Sequence, residues 1–145
     1  VNLLVSNSQA TSSTIFEKSR PGFELDLVPA QTVDKFFLLK NSSPADVSFD
    51  IAVKPRVSVA NSSYAQSITI EVAPVDNEGV PLPDVTPAKG TLEAMNNVST
   101  MIIGAPIVKG SVQRYRLRQT LDSGYATQGD SVSYDLQLIG TQHLN

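Results

Sequence analysis

The sequence contains no cysteine and no tryptophan, and its single histidine, His143, is the third residue from the carboxyl end. Without cysteine there are no disulfides, no thiolate metal sites and no cysteine nucleophile. Secretion remains open, because a domain of 145 residues can bury enough surface to hold together without crosslinks. Charge is also scarce: Asp, Glu, Lys and Arg make up 17% of the residues, with a net charge of -3. An acidic chain lacks the basic face that a nucleic-acid partner requires. No apolar run approaches the roughly 18 residues needed to span a bilayer. A start at Val1 rather than methionine fits removal of a signal peptide, which would place the chain outside the cell; a boundary cut by design is the other reading.

Catalytic vocabulary is equally thin. The chain has no G-x-S-x-G elbow, no H-E-x-x-H helix and no glycine-rich phosphate loop. His143 reads as a solvated tail residue. Asp26, Asp50, Glu71 and Asp135 fall at outward strand positions, where solubility accounts for them. Asp76-Asn77-Glu78-Gly79 offers oxygen ligands but not the spacing of a calcium loop, and reads as a turn. The sequence thus assigns no catalytic, cofactor-binding or metal-binding residue and implies no cofactor.

What is abundant is strand. Residues 23–28, 33–40, 46–53, 67–73, 98–104, 111–119 and 131–139 alternate or run apolar, separated by Gly, Pro, Asn and Ser turns. Val47, Phe49, Ile51 and Val53 are one inward set, and Val132, Tyr134, Leu136 and Leu138 another. This pattern predicts an all-β fold, an antiparallel β-sandwich of jelly-roll type. The predicted core includes Phe49, Ile51, Ile70, Tyr115, Leu117, Tyr134 and Leu136. Residues 88–97 read as a short helix or a loop. Arg114, Arg116 and Arg118 share one strand face and should pair across strands with carboxylates such as Asp135. Three triplets, at Asn41, Asn61 and Asn97, fit the N-glycosylation acceptor pattern, in or near predicted loops.

The amino terminus is the odd part. VNLLV is a mostly apolar strand, followed by the polar SNSQATSST. It can fold back as an edge strand of its own sandwich, or leave and pair with a neighbour's sheet. Residues 1–12 therefore read as strand and tether, and 13–145 as a single sandwich domain.

The order of motifs resembles the TasA/camelysin family of secreted fibre-forming proteins, including its archaeal pilus relatives. PGFELDLVPAQTVDKFFLLKNSSPADVSFDIAV carries the family's F-x-L-K-N strand at Phe37, Leu39, Lys40 and Asn41, then the small-residue turn Ser42-Ser43-Pro44-Ala45. Tyr125, Gln128-Gly129-Asp130 and the alternation to Leu138 are similar to its final strand. Residues 54–110 do not align. The resemblance implies a jelly-roll subunit that polymerises with copies of itself into an extracellular, cell-surface filament, a pilus or biofilm matrix fibre. It further implies donor-strand exchange, with Val1, Leu3, Leu4 and Val5 entering the next subunit. The protease activity implied by the camelysin name is not carried over, because the zinc motif is missing. The competing expectation is a monomeric adhesin or carbohydrate-binding sandwich using loop aromatics such as Tyr64 and Tyr125.

Overall fold

Alternating sequences bury one face of each strand, and two sheets that each have an apolar face stack upon one another. The computed structural model of the chain, which describes residues 3–6, 22–25, 32–43, 45–60, 62–122 and 132–143, has this architecture. The fold is an all-β sandwich of two antiparallel sheets. Its strands are β1 (Leu3–Ser6), β2 (Gly22–Leu25), β3 (Thr32–Asn41), β4 (Phe49–Ala60), β5 (Ile68–Val75), β6 (Ala88–Thr91), β7 (Thr100–Met101), β8 (Val112–Leu121) and β9 (Val132–Gln142). One sheet has the order β1-β3-β8-β5-β6 and the other β2-β9-β4-β7. Every residue of the predicted core is buried, and Ile70, Tyr115, Leu117 and Leu136 have no exposed surface.

Two polar features sit inside this core. The Tyr134 hydroxyl donates to Gln119 Oε1, and Gln119 Nε2 donates to the Val33 carbonyl at 3.4 Å. This chain of bonds runs from β9 of one sheet to β8 and β3 of the other. Tyr115 stacks on Phe37 with ring centroids 5.3 Å apart. Burial pushes both tyrosine phenols well above their ordinary ionisation range, so both remain neutral.

The structure departs from the sequence reading in four places. Residues 88–97 are neither wholly helix nor loop: β6 is followed by a one-turn helix, α2 (Leu92–Met95), which the Thr91 hydroxyl caps by accepting from the Ala94 N–H. The turn expected around Ser62 and Ser63 is a short helix, α1 (Ser62–Ser67). β4 runs on past Val53 to Ala60, through Pro55. Proline is tolerated there because β7 pairs only with Ala52 and Val53, so no neighbour on that side asks for the missing N–H. Pro74 in β5 follows the same rule, lying beyond Val72, where β6 stops. Finally, the strand expected at 98–104 is reduced to two residues beside β4, because Ile103 turns away to bond Thr86. Gly104 permits that departure, with φ +100 and a hypothetical Cβ only 2.8 Å from the Asp84 carbonyl oxygen.

Leu136 is fully buried in the middle of β9. Leu136→Ala should therefore lower stability by about 2–5 kcal/mol. Urea unfolding followed by circular dichroism measures this, and a loss under about 0.5 kcal/mol would contradict the packing described.

Candidate functional site

A sandwich has edges, and exposed edges offer unpaired backbone groups to other chains. The two sides of this molecule treat their edges differently. On one side the sheets are stitched together: β7 lies along β4, and Thr86 and Ile103 exchange two backbone hydrogen bonds of 2.9 and 3.0 Å. On the other side stand β1 and β2, each four residues long.

Among the described residues, both are shorter than the strands they flank. β1 pairs with the last part of β3, Leu3 opposite Asn41 through Ser6 opposite Leu38. The outer edge of β3 from Thr32 to Phe37 has no strand partner among the described residues. β2 pairs with the first part of β9, Gly22 opposite Asp135 through Leu25 opposite Val132. The outer edge of β9 from Leu136 to Gln142 likewise has no strand partner among the described residues. The result is a seam in which β1 and β2 cover opposite halves of the two facing edges.

Of the residues expected to form a donor strand, Leu3, Leu4 and Val5 lie in β1, at the register positions of Asn41, Lys40 and Leu39. In the isolated chain β1 thus pairs with its own β3. Val1 lies outside the described residues.

The upper end of this slot is fixed by Asn41. Its side chain has no exposed surface. Its Nδ2 donates to the Val47 carbonyl at 2.8 Å and the Ile107 carbonyl at 2.9 Å, while Oδ1 accepts from the Ser43 N–H at 3.1 Å. Its backbone N–H donates to Ser111 and its carbonyl accepts from Gly110. The atom that a glycan would occupy therefore holds the corner where the chain crosses between sheets. Asn97 is exposed, and Asn61 lies outside the described residues.

The arginine row of β8 pairs as cross-strand chemistry requires, but not with Asp135. That residue is in the other sheet, opposite Arg56. Arg118 instead forms a fork on Asp34, Nε to Oδ1 and Nη2 to Oδ2, both at 2.9 Å. Arg116, nearly buried, donates to Glu71 at 3.0 Å, and Lys89 stands 4.0 Å from the same carboxylate. Arg114 lies 4.3 Å above the Phe36 ring and donates to the Asn77 carbonyl. Register sets these partners, since β3 and β5 flank β8 on either side. Thr69, Glu71, Lys89, Arg118 and Thr120 line a shallow depression of about 400 Å³ on this face.

His143 is no free tail residue. Its Nδ1 lies 2.9 Å from both oxygens of Asp50, and its backbone N–H donates to the Ser48 carbonyl, which latches the end of β9 onto β4. Asp76 behaves as the turn residue expected, its Oδ1 accepting from the N–H groups of Glu78 and Val80. No group of three or more acidic or histidine side chains among the described residues is arranged to hold a metal. Tyr64, a candidate rim aromatic, is buried in the core, and Tyr125 lies outside the described residues. No helix of the described residues is long and apolar enough to cross a membrane.

Comparison with family models, with curated proteins and with solved structures gives no match for this chain.

Two measurements test the geometry. Asn41→Ala strips a donor from two carbonyls and an acceptor from Ser43, which should destabilise the fold by about 2–4 kcal/mol. Unchanged urea stability would show that the corner does not depend on this side chain. The Arg118 hydrogen bonds hold the Asp34 carboxyl below its ordinary value of 3.8. A group depressed in the folded state contributes stability above its unfolded value and loses it as pH falls through the folded one. Asp34→Asn should therefore flatten the acid limb of the stability profile below about pH 4, by a small amount because the Arg118 side chain is 43% exposed. An acid limb of unchanged steepness would contradict the pairing.

Proposed function

We propose that this chain is the structural subunit of an extracellular filament and that its amino-terminal strand is the connector between copies. The observation carrying this reading is the seam: a four-residue strand, followed in sequence by a polar tether, seated on one end of a ten-residue strand. Support comes also from the strand order. Setting β1 aside, β2-β9-β4-β7 and β3-β8-β5-β6 form two four-stranded sheets, which we read as a complete jelly roll. β1 is then an addition to a finished fold, joined through residues 7–21, and can be exchanged without dismantling the core. The resemblance of the F-x-L-K-N strand to fibre-forming proteins points the same way.

Exchange replaces a within-chain pairing by the same pairing between chains, as in domain swapping. The contacts are conserved, so monomer and filament differ little in energy per strand. Each apolar side chain that such a pairing fully buries contributes about 1.5–3 kcal/mol in either state. Assembly is therefore a competition between a chain's own strand and its neighbour's, decided by concentration and by lateral contacts between subunits. A head-to-tail contact of this kind does not close on itself and generates a filament.

Deleting residues 1–8 should leave a soluble β-rich domain that does not polymerise, as judged by electron microscopy. Leu3→Asp should do nearly the same, because a carboxylate brought to the register position of the buried Asn41 is costly. A synthetic VNLLVSNS peptide in excess should stop growth of wild-type filaments. Normal filaments from the truncated chain would overturn the proposal, and dispersed monomers from the intact chain would favour an adhesin.

A further inference from the structure

Of the three acceptor triplets, two lie within the described residues, and the fold treats them oppositely. At Asn41 the amide nitrogen is buried and donates to two carbonyls. At Asn97, Val98 and Ser99 all three residues are exposed. The Asn97 side-chain amide makes no hydrogen bond to any described residue.

The Asn97 backbone, in contrast, is firmly held. It has φ +60, a left-handed conformation that asparagine adopts more readily than most residues. Its N–H donates to the Pro55 carbonyl at 2.8 Å, and the next N–H, of Val98, donates to Met95 at 3.0 Å. The preceding Asn96 accepts from the Val57 N–H at 2.9 Å. Two hydrogen bonds to β4 and one to α2 thus fix a tight turn that presents a free carboxamide to solvent.

The segment that follows Asn97 carries exposed apolar side chains. Val98 is 50% exposed, Met101 44% and Ile103 60%. Exposed apolar side chains invite unwanted association unless something covers them. A hydrophilic group at Asn97 would shield these.

We infer that Asn97 is an N-glycan acceptor in the folded protein and that Asn41 is not. The donor is a polyprenyl-phosphate-linked or pyrophosphate-linked oligosaccharide, and a membrane-bound oligosaccharyltransferase catalyses the transfer. Nδ2 of Asn97 attacks the anomeric carbon, the C–N bond forms as the C–O bond to phosphate breaks, and the amide proton leaves to base while the lipid phosphate departs. Val98 meets the requirement that the middle residue not be proline, and Ser99 supplies the hydroxyl the transferase reads. The inference rests on the extracellular part of the proposed function but not on strand exchange, since Asn97 sits by β4 and β7, at the opposite side of the sandwich from β1 and β2.

The full chain, secreted from yeast behind a signal peptide, provides the test. Glycans are released from the folded monomer by peptide N-glycosidase in heavy-oxygen water, and labelled aspartates are located by mass spectrometry. The label should appear at position 97, disappear in Asn97→Gln and Ser99→Ala, and persist in Ser99→Thr. Folded protein without label at position 97 overturns the inference, whatever the state of Asn61. Label at position 41 in folded protein overturns the second half of it.

Discussion

The Asn41 carboxamide is the contact on which the arrangement of the edges depends. β3 ends there, the chain crosses from one sheet to the other, and β4 begins at Phe49. A crossing of this kind leaves backbone groups with no ladder partner, and buried groups left unpaired are costly. One side chain satisfies the Val47 carbonyl, the Ile107 carbonyl and the Ser43 N–H together. It thereby ties the start of β4 and the approach to β8 to the end of β3. The strand position it occupies is also the one facing Leu3, so the same contact sets the end of the slot that β1 fills.

From that corner the asymmetry of the molecule follows. The side bearing β6 and β7 is closed by backbone bonds between Thr86 and Ile103, which removes a strand edge from solvent. On the side bearing β1 and β2, the strands among the described residues cover the two borders only in halves. β9, which borders the open side, is held independently of it: it pairs with β4 along its whole length, buries Tyr134 and Leu136, and is latched by His143 on Asp50. A firmly held border is what a sheet needs if a neighbouring strand is to come and go. Tyr134, bonded through Gln119 to β3, joins the two borders of the seam through the core rather than through the edge.

Much of this was legible in the sequence, and the exceptions have physical causes. Alternation identified the inward faces of β4, β5, β8 and β9 correctly, because period-two burial depends on the local chain alone. Partners across strands did not follow, because they depend on register. Arg118 was legible as needing a carboxylate, yet nothing local distinguishes Asp34 from Asp135. Asn41 matched an acceptor triplet, and only the folded corner shows its amide spent on two carbonyls. β6 was missed because Ala88-Lys89-Gly90-Thr91 has no apolar alternation, its pairing with Thr69–Val72 being a tertiary matter. β7 was overestimated because Ile102 and Ile103 look like continuing strand, while the handover at Ile103 rests on Gly104 and a distant Thr86. Threonine before Leu92-Glu93-Ala94 was the available signal for α2. The slot for β1 could be suspected from VNLLV and its polar sequel, but which half of β3 it covers could not.

The central claim, that β1 passes between copies at the position it occupies in its own chain, is open to a direct crosslinking measurement. The natural absence of cysteine makes the background clean. Leu4 and Lys40 are register partners, and facing residues in an antiparallel pair lie within disulfide reach. Chains carrying only Leu4→Cys are mixed with chains carrying only Lys40→Cys, allowed to assemble, and oxidised. Strand exchange predicts disulfide-linked pairs containing one chain of each kind, formed in the filament and absent from dilute monomer. Filaments that yield no mixed pairs, while the double variant closes readily within a single chain, would contradict the account.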